Sequence, residues 1–126
     1  MEREGGLVYP ELSYELVGMT FGVYNRMGFG YQEKYYQRAY AEELTICGKK
    51  FKKERHCVIM YNGRAVGRYF IDFVVDDKIV IEFKVANDFY LQHVKQVLGY
   101  LKATNLKLGI IVLITKDGLR FKRIVN

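Results

Sequence analysis

Asp72, Glu82 and Lys84 are the residues of this 126-residue chain whose types and spacing could do chemistry. They interrupt two runs otherwise filled with β-branched and aromatic residues, Ile71-Asp72-Phe73-Val74-Val75 and Ile79-Val80-Ile81-Glu82-Phe83-Lys84. Such runs form buried strands, and the polar Asp76-Asp77-Lys78 between them forms a tight turn. A charge inside a buried strand costs several kcal/mol, on the order of the penalty for an unpaired ion, unless it is paired or holds a metal. Glu82 and Lys84 stand two residues apart, so their side chains leave the same face. A carboxylate and an ammonium there could serve a cation and a water, or could form no more than a salt bridge.

Whether Asp72 joins them is a matter of parity. A two-residue loop at Asp76 and Asp77 would pair Asp72 with Ile81 and put Glu82 on the other face. A three-residue loop, Asp76 to Lys78, or a bulge sets Asp72 directly opposite Glu82, with both carboxylates in reach of one cation. We expect the second register.

The elements that must position these residues can be read in order. Leu12, Leu16, Met19, Val23 and Met27 recur at spacings of three and four, which predicts a helix from Pro10 to Gly28. Tyr36, Tyr40 and Leu44 mark a second helix ending at Gly48, with Glu33 on the same stripe. Glu33 either points at the core or is a favourable charge at a helix N-terminus. His56 to Tyr61 reads as a strand, Asn62-Gly63 as a type I′ turn, and Arg64 onward as the returning Asp72 strand. After Val85 to Asp88, a helix over Phe89 to Thr104 turns Leu91, Val94, Val97, Leu98 and Leu101 to the core. Gln92, Gln96 and Tyr100 stack beside them, with His93 at the margin. Gln92 and His93 read as ordinary exposed polarity. Leu108 to Ile114 is a strand buried on both faces, and Lys116-Asp117-Gly118 turns it into a last strand through Val125. The long helix between the Glu82 and Leu108 strands suits a right-handed parallel crossover. The expectation is an α/β (α+β) fold, a mixed central sheet with helices packed on it in the order ααβββαββ.

Half the residues are hydrophobic, which suits one domain over residues 10–126 behind a loose tail over 1–9. The net charge of +6 suits a polyanionic partner, and serves solubility equally well. Lys49, Lys50, Lys52, Lys53 and Arg55 form the densest basic run, able to follow a nucleic-acid backbone or to stand as a solvated loop. Cys47 and Cys57 show no zinc or disulfide pattern and read as reduced, partly buried thiols. No apolar run approaches the roughly 20 residues of a membrane span, and Met1-Glu2-Arg3-Glu4 lacks the order of a signal peptide, so we expect a cytoplasmic protein with no membrane partner.

Asp, nine residues, Glu, one residue, Lys on adjoining strands resembles the core of the PD-(D/E)xK nuclease superfamily. Gln96-Val97-Leu98-Gly99-Tyr100 matches the Q-x-x-x-Y motif of its RecB-type members, and Gly30-Tyr31-Gln32-Glu33-Lys34-Tyr35-Tyr36 matches the G-x-x-E-x-x-Y signature of the small bacterial GxxExxY proteins. Phe29 departs from the Pro that often stands between the two glycines there. The resemblance spans about Pro10 to Asn126. It implies a metal-dependent nuclease acting on DNA backbone phosphates, or else a nucleic-acid-binding module or subunit of a DNA-processing complex that cuts weakly or not at all. It makes Asp72, Glu82 and the carbonyl of Phe83 ligands of Mg²⁺ or Mn²⁺, with Glu33 a further ligand or water-binder. Lys84 would orient or deprotonate the attacking water and stabilise the charge of the transition state, Gln96 would steady the site or the scissile phosphate, and Tyr100 would stack or hydrogen-bond beside it. A chain this short would need a homodimer or a partner protein to read sequence.

Overall fold

The strand that carries Glu82 is the middle of a five-stranded sheet, and the computed structural model describes its surroundings over residues 7–126. Two helices come first, α1 (Pro10–Met27) and α2 (Glu33–Ile46). Three strands follow, β1 (Phe51–Tyr61), β2 (Arg64–Val75) and β3 (Ile79–Val85), then α3 (Leu91–Thr104), β4 (Leu108–Thr115) and β5 (Gly118–Val125). The sheet runs β1-β2-β3-β4-β5, antiparallel throughout except for the parallel pair β3 and β4 that α3 connects. This is the expected mixed sheet in the expected order.

Alternation along the strands divides the core in two. Ile79, Ile81 and Phe83 of β3, with Ile110, Val112 and Ile114 of β4, pack under α1 and α2 against Leu16, Tyr36, Tyr40 and Leu44. Val80 and Ile111 face the other way, toward Val97, Tyr100 and Leu101 of α3. A strand covered on both faces reads as continuous apolar sequence, which is why β4 shows no polar alternation. Gly109 belongs to this packing, because a Cβ there would lie 2.5 Å from Val97 Cγ1.

The strand β1 starts at Phe51, earlier than its sequence indicates, because pairing with β2 carries the charged residues 52 to 55 into the ladder. Asn62 and Gly63, with φ of 50° and 75°, make the expected hairpin turn. Of the tail expected over 1–9, residues 1–6 lie outside the described residues. Val8 is buried, and its carbonyl accepts a 2.6 Å hydrogen bond from Arg123 Nη2. Cys57 is buried and Cys47 exposed, both as free thiols, so Cys47 departs from the partly buried placement expected. Among the described residues no helix is long and apolar enough to cross a membrane.

Candidate active site

The turn between β2 and β3 decides the site. Phe73 pairs with Ile81, Val74 with Val80 and Val75 with Ile79, so the loop is the three-residue Asp76-Asp77-Lys78. Asp76 and Asp77 take the left-handed conformation, and the Lys78 N–H donates to the Val75 carbonyl at 3.0 Å. The next step of this register sets Asp72 opposite Glu82. There the backbone ladder stops and the side chains replace it. The Asp72 N–H donates to Glu82 Oε1 at 2.8 Å, and the Phe83 N–H donates to Asp72 Oδ2 at 2.9 Å.

This crossover coincides with a break in alternation. Phe73 and Val75 pack on the α1 and α2 side, whereas Ile71 and Val74 pack on the α3 side. In an unbroken strand Ile71 and Phe73 would share a face. The neighbouring strand breaks at the same level: Lys53 pairs with Phe73 and Arg55 with Ile71, while Glu54 between them has φ 55°. A non-glycine residue in that region costs about 1–3 kcal/mol and concentrates where function constrains the backbone.

Each carboxylate therefore commits one oxygen to a backbone N–H. Asp72 Oδ1 makes no hydrogen bond within the described structure, and Glu82 Oε2 has only the Lys84 ammonium, 3.9 Å away. Glu82 is 2 % exposed. Burial, followed by the neighbouring Asp72 charge, pushes its carboxyl well above the carboxylate range. Burial also raises Asp72, against the Phe83 N–H that lowers it, and Glu33, then Glu54, add repulsion. Two buried carboxylates held at raised pKa, with hard oxygens left over, are the donor chemistry a small divalent cation requires. The residues fit such an ion.

Glu33 is not a third member of one closed cluster. Its Oε1 accepts from the Val85 N–H at 3.2 Å and its Oε2 from Gln37 Nε2 at 3.3 Å, so it caps the end of β3. Among the described residues no group of three or more His, Cys, Asp or Glu side chains is placed to hold a metal. Glu33 still acts through its charge, which raises both Asp72 and Glu82.

Lys84 opens into a cleft of about 510 Å³ that it lines with Tyr69, Gln92, His93, Lys95 and Gln96. Gln96 is thus brought to the site. Tyr100 is fully buried and hydrogen-bonds beside it: its hydroxyl donates to the Phe70 carbonyl at 2.5 Å and accepts from Gln96 Nε2 at 3.4 Å. Its ring meets Tyr69 edge-on at 4.7 Å, so it ties α3 to β2. His93 was expected to be plain exposed polarity, yet its Nδ1 is buried without a hydrogen-bond partner. Burial and the Lys84 charge lower its pKa. Its spacing of three from Gln96 was the available signal.

The basic run is not brought to the site as a whole. Lys49 pairs with Glu15 at 2.6 Å and Lys52 with Asp77 at 3.7 Å, on the turn side of Asp72. Together with Lys50 they line a separate groove that includes Thr45 and Phe51. Lys53 and Arg55 flank Glu54, next to Asp72 in the sheet.

A family model described as the PD-(D/E)XK nuclease superfamily matches residues 10–124. No curated protein matches the chain. Among solved structures, the chain resembles SSO0001 with a TM-score of 0.58 at 20% identity, covering 94% of this chain and 57% of that one. It also resembles an alkaline exonuclease from Laribacter hongkongensis, with a TM-score of 0.55 at 15% identity, over 94% of this chain and 72% of that one. The same exonuclease in complex with dAMP matches with a TM-score of 0.50 at 17% identity, over 93% of this chain and 72% of that one. The chain thus spans little more than half the length of SSO0001.

Proposed function

Since the chain belongs to the PD-(D/E)XK nuclease superfamily, whose members usually use a divalent metal, we propose that it is a Mg²⁺- or Mn²⁺-dependent phosphodiesterase that hydrolyses DNA backbone phosphates. Within the superfamily, the run Gly30 to Tyr36 supports a place among the GxxExxY proteins. The observation that carries the activity is the pair of hydrogen bonds from the Asp72 N–H to Glu82 and from the Phe83 N–H to Asp72, which leaves one oxygen of each carboxylate without a backbone partner, Glu82 Oε2 lying 3.9 Å from the Lys84 ammonium.

Asp72 and Glu82, with the Phe83 carbonyl, would hold the cation, and when bound it supplies Lewis-acid polarisation of the phosphate and a more acidic water. Lys84 orients that water and stabilises negative charge as it develops on the phosphoryl oxygens. Gln96 binds the phosphate in the cleft, and Tyr100 holds Gln96 and β2 in place from below. Glu33 adds negative potential from the end of β3 and orders water there.

A second reading, a nucleic-acid-binding module without useful turnover, draws on the absence of a third side-chain ligand among the described residues. Incubating the purified protein with labelled DNA and Mg²⁺, Mn²⁺ or EDTA separates the two. Metal-dependent cleavage that Lys84→Met abolishes supports the nuclease; binding without cleavage under every metal condition overturns it.

A further inference from the structure

Past Asp72 the strands β1 and β2 continue as a two-stranded arm that, among the described residues, no third strand joins. The strand β2 pairs with β3 only from Phe73 to Val75, whereas its pairing with β1 runs out to Tyr61 and Arg64. Every residue from Met60 to Arg68 is exposed. Apolar side chains lie among them and beyond, with Tyr61 68%, Val66 62% and Phe70 54% exposed. Scattered single hydrophobes need no explanation, but a succession along one hairpin marks a contact surface.

Charge identifies the partner. From Arg55 to Ile71 the sequence has Arg55, Arg64 and Arg68 and no Asp or Glu. None of these bases forms an ion pair with a described residue, in contrast to Lys49 and Lys52. A second copy docked on the same face would set like charges against each other. Strand alternation separates two faces of the arm: Tyr69, whose ring meets Tyr100, lines the cleft, whereas Arg68 and Phe70 stand on the opposite face, and Tyr61 and Arg64 pair across the strands at the tip.

We propose that this arm, from its tip along the face turned away from α3, binds single-stranded nucleic acid, with Arg64 and Arg68 on its phosphates and Tyr61 and Phe70 stacking on its bases. A single strand fits because an aromatic ring can stack on a base only where that base is unpaired, whereas a duplex would offer the arm phosphates alone. The proposal rests on the nuclease reading in taking nucleic acid as the ligand; the binding surface itself needs no metal.

The test is anisotropy of the full chain with a labelled single-stranded oligodeoxynucleotide and with the matching duplex, in EDTA, across a salt series. Wild type should bind the single strand more tightly. Two phosphate contacts on a single strand contribute a salt slope of about 1.4, which at ~0.15 M salt is roughly tenfold in affinity, so R64A/R68A should lose that much of both. Phe70→Ala should weaken binding by roughly tenfold with the slope unchanged. Hydrolysis of bis(p-nitrophenyl) phosphate with Mn²⁺ should be the same in R64A/R68A as in wild type. A wild type inert on this small diester defeats the nuclease reading, while the binding series still judges the arm. Wild-type affinity and slope in R64A/R68A, equal affinity for duplex, or a dimer by light scattering that R64A/R68A or Phe70→Ala dissolves without changing binding would each overturn the proposal.

Discussion

Replacing Asp72 by Asn tests whether the site is electrostatically loaded for a cation. Asn keeps the shape and can still accept from the Phe83 N–H, which Asp72 Oδ2 now does at 2.9 Å, while one negative charge is removed. Burial first, then neighbouring charge, raises Asp72 from 3.8 to about 6 and Glu82 from 4.5 to about 8. A carboxyl raised on folding contributes stability that is fully present below its unfolded pKa and is lost as pH climbs through the folded one. Without metal the protein therefore weakens as pH climbs from about 4 toward about 8. Asp72→Asn removes one of the two interacting charges and should recover about 1–2 kcal/mol of this at pH 8. In a chain of this size that is a rise in Tm of roughly 3–8 °C, shrinking to nothing near pH 4. Mg²⁺ or Mn²⁺ at a hundredfold its Kd should stabilise wild type by about 2.7 kcal/mol, and Asp72→Asn hardly at all. Thermal melts in chelator-treated buffer, at both pH values and with added metal, measure every arm. A metal-free Asp72→Asn that melts below wild type at pH 8, or one that shifts with metal as wild type does, would refute the reasoning.

Lys84→Met should keep the metal-induced rise in Tm while cleavage falls by roughly 10²-fold or more, since the side chain serves water and transition state rather than the ion; wild-type rates on labelled DNA would remove that role. Tyr100→Phe deletes the donor to the Phe70 carbonyl and should lower stability by about 1–3 kcal/mol in urea melts, with the metal-induced shift intact. Glu54→Gly relieves a left-handed backbone and should raise metal-free stability by up to about 1 kcal/mol; a loss instead would mean the Glu54 side chain is used.

What the sequence made legible was governed by parity and period. The strands β2 and β3 could be registered because a three-residue polar loop fixes which side chains oppose each other, and the first two helices because their apolar stripes end near glycines. Glu54 escaped notice because nothing in a glutamate announces a positive φ; the break comes from its position opposite Asp72, a tertiary fact. The basic run looked like one surface, yet Lys49 is neutralised by Glu15, 34 residues earlier in sequence and invisible as a neighbour. His93 differs from its reading for a related reason. Helical spacing shows which side chains share a stripe, but not how deep that stripe lies, so His93 is less exposed than it read and Tyr100 is buried beneath the site.

The coincidence of backbone break and carboxylates is itself a physical argument about the site. Buried N–H groups must find acceptors, and an unbroken β2–β3 ladder would draw on backbone carbonyls. By turning at Asp72 and Glu54, the sheet frees the Asp72 and Phe83 N–H groups to bind carboxylate oxygens instead. Hydrogen bonds to an ionised acceptor are roughly twice as strong as neutral ones, which offsets the strained Glu54 backbone and part of the cost of burying Glu82. The same bonds fix both carboxylates to backbone rather than to flexible side chains, so the oxygens left over, Asp72 Oδ1 and Glu82 Oε2, are held close to each other's charge whether or not a cation is present. Repulsion that the fold cannot relax is what makes a site favour an ion over the empty state, and here the hydrogen bonds that position the ligands also prevent that relaxation.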